Sequence, residues 1–122
     1  MNSKIKGNIG IGKAISYYTS LGNIVSLPIN DSQDYDLIID DGKLNRIQVK
    51  YTDFLTHHNI YKVDLRTNGG NKSRNTHKPF NNTTIEYLLC VTSKNDIFII
   101  PSKKIPNKNS INLGEKYNIY KK

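Results

Sequence analysis

The sequence predicts an α/β domain in which a mixed sheet is flanked by an N-terminal helix, and three features carry that expectation. Apolar residues recur at helical spacing near the start, alternating apolar and polar residues fill strand-length runs further on, and Gly, Asn, Asp and Pro punctuate those runs. At 122 residues the chain supports one core and not two ordinary domains. Residues 1–122 are therefore expected to fold as one domain, with a core over about 5–105. The polar segment 106–122 is expected as a tail, loose or engaged by a partner copy.

The helix is expected over roughly 8–21, because Ile11, Ala14, Ile15 and Tyr18 share one face and Gly22 stands where a left-handed C′ residue belongs. "NIVSLP" follows as a short strand ended by Pro28, and "INDSQD" reads as a polar loop. "YDLIIDDGKLNRIQVKYT" is a hairpin. A two-residue turn at Asp41-Gly42 would mix charged and apolar residues on both faces, which a half-buried sheet disfavours. A three-residue loop, Asp40-Asp41-Gly42, sorts Leu37, Ile39, Ile47 and Val49 onto one face and Asp36, Arg46, Gln48 and Lys50 onto the other. That register sets Asp36 opposite Arg46 and diagonal to Gln48, about 7–8 Å away, a span two side chains can close around one metal ion. "NIYKVDLR", residues 59–66, is the next strand, with Tyr61, Val63 and Leu65 facing one way and Lys62, Asp64 and Arg66 the other. Later, "TTIEYLLCVT" pairs with "IFIIP" across the turn "SKND", and Glu86 is expected as an edge-facing charge.

Charge directs attention to a polyanion. Eighteen Lys plus Arg against ten Asp plus Glu give a net charge of +8, although a Lys- and Asn-rich composition also arises without selection for binding. Arginine occurs only at Arg46, Arg66 and Arg74, so each potential bidentate reader of phosphate or base edges is informative. The single cysteine, Cys90, lies in an apolar run, which excludes an intramolecular disulfide and suits a reducing compartment. No apolar run approaches a membrane span, and "MNSKIKGNIG" lacks the apolar stretch of a signal peptide. The expectation is a cytoplasmic, intracellular protein without membrane partners.

A polar cluster on a strand face is more often a solvated surface than a site, but the surroundings of this one form a pattern. "GNIGIGKA" at the helix, "VSLP" before the loop, "YDLIIDDG", "RIQVKYT" and the late "IIP" resemble the PD-(D/E)XK nuclease superfamily, and within it the small homing endonucleases of group I introns and related bacterial and viral proteins. The resemblance covers about residues 5–105 and implies a restriction-endonuclease-like core. In the family pattern the aspartate matches Asp36, the second acidic position matches Gln48, a glutamine some members share, and the lysine matches Lys50. The helix position where members often carry glutamate holds Ile11.

What the resemblance implies is metal-assisted hydrolysis of phosphodiester bonds in double-stranded DNA. Asp36, the Gln48 amide oxygen and the Val49 backbone carbonyl would ligate Mg²⁺, with Mn²⁺ able to substitute. Lys50 would orient or deprotonate the attacking water and stabilise charge on phosphorus. The segment "TNGGNKSRNTHKPFNN", with Lys72, Ser73, Arg74, His77 and Lys78, is the expected groove reader, helped by Arg46 and Arg66. One site cuts one strand, so a homo-oligomer, dimer or tetramer, and a symmetric target are implied. Two alternatives stay open: a structure-selective nuclease such as a Holliday-junction resolvase, and a DNA-binding module without activity. His57, His58 and His77 lack zinc-ligand spacing, and "GNIGIG" lacks the Lys-Ser/Thr ending of a phosphate loop.

Overall fold

A computed structural model describes residues 1–30, 33–68, 77–78, 80–106 and 108–122, with backbone alone at 67–68 and 77–78. Helix α1 spans Ser3–Ser20, five residues earlier than the spacing predicts. The cause is Asn2, whose side-chain oxygen accepts from the Ile5 amide at 2.9 Å and caps the first turn. At the other end Gly22 takes φ +83°, and its amide and that of Asn23 return to the Thr19 and Tyr18 carbonyls.

The face of α1 that packs is Gly10, Ala14 and Tyr18, four residues apart. It lies on a five-stranded sheet of order β1-β2-β3-β7-β8. The strands are β1 (Ile24–Ser26), β2 (Leu37–Asp40), β3 (Leu44–Thr52), β7 (Tyr87–Thr92) and β8 (Ile97–Pro101). All pairs are antiparallel except β3–β7, which run parallel, so the sheet is mixed as expected. Helix and sheet meet closely at Gly10, where a Cβ would stand 3.2 Å from Val49 Cγ1. Ala14, Tyr18, Leu37, Ile39, Ile47, Leu89 and Val91 fill this interface. Each fully buried Leu or Ile there contributes about 1.5–3 kcal/mol relative to exposure.

The opposite sheet face is covered by a short two-stranded sheet, β4 (Lys62–Asp64) with β9 (Ser110–Asn112), and a second two-stranded sheet is formed by β5 (Thr67–Asn68) and β6 (His77–Lys78). Tyr61, Val63 and Leu65 point inward as their alternation predicts, joining Leu88, Cys90, Phe98 and Ile100. Ile111, Leu113 and Tyr117 belong to the same core. Of the tail expected over 106–122, the described residues are not loose: β9 pairs with β4, and Ile111, Leu113 and Tyr117 are buried in this core. The last residues also pair with the β8 edge, Lys122 N donating to Ile97 O at 2.8 Å.

Candidate active site

The hairpin β2–β3 sorts its side chains as expected, but its register is shifted by two. Leu37 pairs with Ile47, Ile38 with Arg46 and Asp40 with Leu44, so the three-residue loop is 41–43 and Asp36 does not face Arg46. The physical reason lies in the turn. Asp40 Oδ1 accepts from the Gly42 amide at 3.0 Å, and Asp41 Oδ1 accepts from Asn45 Nδ2 at 3.2 Å, which keeps Asp40 in the strand and Gly42, at φ +109°, inside the loop. A slip of two leaves every residue on its face.

The shift brings Asp36 to Gln48. The Asp36 amide donates to Ile47 O and the Asp36 carboxylate accepts through Oδ2 from the Val49 amide, both at 2.8 Å. Its other oxygen, Oδ1, has no hydrogen-bond partner among the described residues. Gln48 is 5 % exposed, and its amide likewise makes no hydrogen bond among the described residues. Burial raises the Asp36 pKa above its ordinary range, opposed by the Val49 amide and the nearby Lys50 charge.

Lys50 stands two residues beyond Gln48 on the same face, its Nζ donating to the Arg66 carbonyl at 3.1 Å. Burial lowers its pKa, while Asp36 and Asp64 act to raise it. In the parallel register Lys50 adjoins Cys90, a fully buried thiol pushed up to about 12 and therefore unreactive. Asp36, Gln48 and Lys50 thus converge, with two oxygens that make no hydrogen bond among the described residues beside an amine whose pKa burial lowers.

The arginines are placed differently. Arg46 is clamped by Glu86, which accepts from Nη2 at 2.6 Å, from Nε at 3.0 Å and, through its other oxygen, from the Arg46 amide at 2.8 Å. Glu86 is thereby corrected from an edge-facing charge to the anchor of a cross-strand pair. Arg66 is held by Asp64, at 3.1 Å from Nε and 3.0 Å from Nη2. Sequence reasoning missed both carboxylates. The alternation of β4 pointed Asp64 and Arg66 to one side, but the link to Lys50 runs through a backbone carbonyl that no pattern marks. His77 and Lys78 lie on β6, and Lys72, Ser73 and Arg74 fall outside the described residues. Ile11 is partly buried against the α1 side of the sheet, the face opposite Asp36.

Among the described residues, no group of three or more His, Cys, Asp and Glu side chains gathers to hold a metal. The oxygen donors that do gather are one carboxylate and one amide, a hard set suited to Mg²⁺ or Mn²⁺ rather than zinc. No helix among the described residues is long and apolar enough to cross a membrane.

The chain belongs to the PD-(D/E)XK endonuclease family, whose pattern it matches over residues 1–121. Among solved structures it is similar to a bacterial homing endonuclease, I-Ssp6803I, with a TM-score of 0.77 and 24% identity, covering 94% of this chain and 80% of that one. That likeness shows a shared restriction-endonuclease-like fold. A weaker similarity, to MepB, has a TM-score of 0.43 and 13% identity over 83% of this chain and 78% of that one. No curated protein matches the chain. The protein is a nuclease of this family, and DNA is its substrate class.

Proposed function

We propose that the protein is a divalent-metal-dependent endonuclease that hydrolyses phosphodiester bonds of double-stranded DNA at specific sites, acting as a single-domain chain in a homo-oligomer. The observation that carries this reading is the convergence of Asp36, Gln48 and Lys50 on one face of β2–β3, with Asp36 Oδ1 and the Gln48 amide making no hydrogen bond among the described residues. Family membership and the likeness to a homing endonuclease support the substrate and the site-specific mode.

Asp36 Oδ1, the Gln48 amide oxygen and the Val49 carbonyl would hold Mg²⁺, or Mn²⁺ in its place. When bound, the cation polarises the scissile phosphate and lowers the pKa of the attacking water. The Val49 amide fixes the Asp36 carboxylate so that one oxygen remains turned to the ligand position. Lys50, held by the Arg66 carbonyl, orients that water or takes its proton, a role that the lowering of its pKa by burial favours, and its charged form offsets negative charge on the phosphoryl oxygens. Hydrolysis of both strands needs two such sites, hence the dimer or tetramer.

Cleavage of random-sequence plasmid libraries and four-way junctions, by wild type and Lys50→Ala with Mg²⁺ or Mn²⁺, tests the reading. Defined duplex cuts by wild type alone are expected. Cutting confined to branched DNA would replace site specificity with structure selectivity, and a folded protein that cuts nothing in the library would overturn the activity.

A further inference from the structure

Of the three arginines in the sequence, the two among the described residues, Arg46 and Arg66, are both paired with carboxylates, which raises the question of where positive charge without an ion-pair partner lies. Lys62 on β4, Lys108 ahead of β9 and Lys116 in the 3₁₀ segment Glu115–Tyr120 line one groove of about 630 Å³. All three are exposed, and none has an ion-pair partner among the described residues. His57 and His58 stand at the same groove, their ring centroids 4.0 Å apart, and Phe54 beside them is 60% exposed. No Asp or Glu among the described residues lines it. The carboxylates closest in sequence to β4 are occupied elsewhere, Asp53 by Lys6 at 2.8 Å and Asp64 by Arg66 at 3.0 Å.

We infer that this groove binds the phosphodiester backbone of duplex DNA flanking the cut site. The inference rests on the DNA substrate read above and adds a second contact region to it. Lys62 is on β4, and Arg66, whose carbonyl holds Lys50, follows four residues later. The Lys62 carbonyl accepts from Thr52 Oγ1, and Thr52 stands two residues beyond Lys50 on β3. Two strand residues rise about 7 Å, about the axial rise of two base pairs at 3.4 Å each, so a duplex seated at Lys50 reaches the groove within half a turn. The lysines supply point charges that need no base sequence.

The test is the salt dependence of binding in EDTA, where no cleavage occurs, using a 40-base-pair duplex of random sequence. The variant is Lys62→Gln/Lys108→Gln/Lys116→Gln, with Lys62→Gln alone as the second variant. Three lost phosphate contacts lower the slope of log K against log salt by about 2.7, and one by about 0.9. At fixed salt near 0.15 M the triple variant is expected to bind about tenfold or more weakly. A triple variant that melts like wild type and binds with wild-type slope and affinity overturns the inference. Competition by polyglutamate as effective as duplex DNA at equal charge overturns the choice of ligand. Failure of the two readings is separable: if wild type cuts nothing yet the slope falls in the variants, the groove stands and the proposed activity does not. If wild type cuts and the slope stays put, the reverse holds.

Discussion

The inner face of β2–β3 and the outer groove beside β4 are both cationic, and they differ in what surrounds the charge. Lys50 is enclosed, shares its surroundings with Asp36, and has its pKa pulled down by burial. Lys62, Lys108 and Lys116 are exposed and have no ion-pair partner among the described residues, Lys116 lying 5.4 Å from the Tyr117 ring centroid. Burial makes a charge costly to keep and reactive in return. Exposure leaves a charge cheap, inert and available to any polyanion. On the two readings proposed above, Lys50 on β3 would serve cutting and the lysines of the groove beside β4 would serve holding.

The sharpest way to break that comparison is Lys50→Ala. Loss of general acid-base and electrostatic assistance is expected to lower the cleavage rate by about 10²–10⁴-fold. Binding in EDTA should stay within about twofold of wild type, because the phosphate-holding lysines are untouched. A parallel loss of binding would merge the two regions into one. Gln48→Glu acts on the same site more gently. It adds a second carboxylate beside Asp36, and half-maximal cleavage should need less Mg²⁺, by about tenfold, in a metal titration.

Stability gives a further contrast. Asp36 is pushed toward its protonated form and Lys50 toward its neutral amine. As pH rises through the raised Asp36 range, the native state loses stability, and as pH rises through the lowered Lys50 range toward 10.5 it regains it. Wild type therefore bears the desolvation cost of both groups between those two ranges. Asp36→Asn/Lys50→Met is expected to be more stable by about 1 kcal/mol at pH 7, with the gain shrinking toward both acid and alkali in denaturant melts. A gain that did not vary with pH would break the link to burial.

The smallest effect belongs to the surface clamp. Arg46 holds the Glu86 carboxyl below its ordinary value of 4.5. A depressed acid contributes stability above that value and loses it as pH falls through the folded range. Glu86→Gln should lower stability by about 1 kcal/mol or less at pH 7, because the pair is partly exposed. The deficit should narrow below about pH 4.5 in acid melts.

The fold and the cluster were legible where local pattern decides. Alternation placed Asp36, Gln48 and Lys50 on one face and Val63 and Leu65 in the core. Gly22 marked the helix end. The register of the hairpin was not legible, because a two-residue slip preserves every face and the choice rests on side-chain hydrogen bonds from Asp40 and Asp41. The Arg46–Glu86 clamp escaped notice because its partners are 40 residues apart and meet only through the parallel β3–β7 pairing. Segment 108–122 read as polar because its buried residues, Ile111, Leu113 and Tyr117, are scattered among Asn, Lys and Ser, and a three-residue strand has no signal without its partner. Lys72, Ser73 and Arg74, expected to read the DNA groove, lie outside the described residues.

The parallel pairing of β3 with β7 also sets an order of assembly. The β2–β3 hairpin is local, and hairpins close in about 1–10 µs. Joining Ile47 to Tyr87 must first close a long stretch of chain, which delays it. The contact between Asp36 and the Val49 amide belongs to the hairpin. The acidic half of the site can therefore form early, while the enclosure that depresses Lys50 waits for β7 and β4 to dock. A chain still emerging from the ribosome would set Asp36 against the Val49 amide before Lys50 is enclosed.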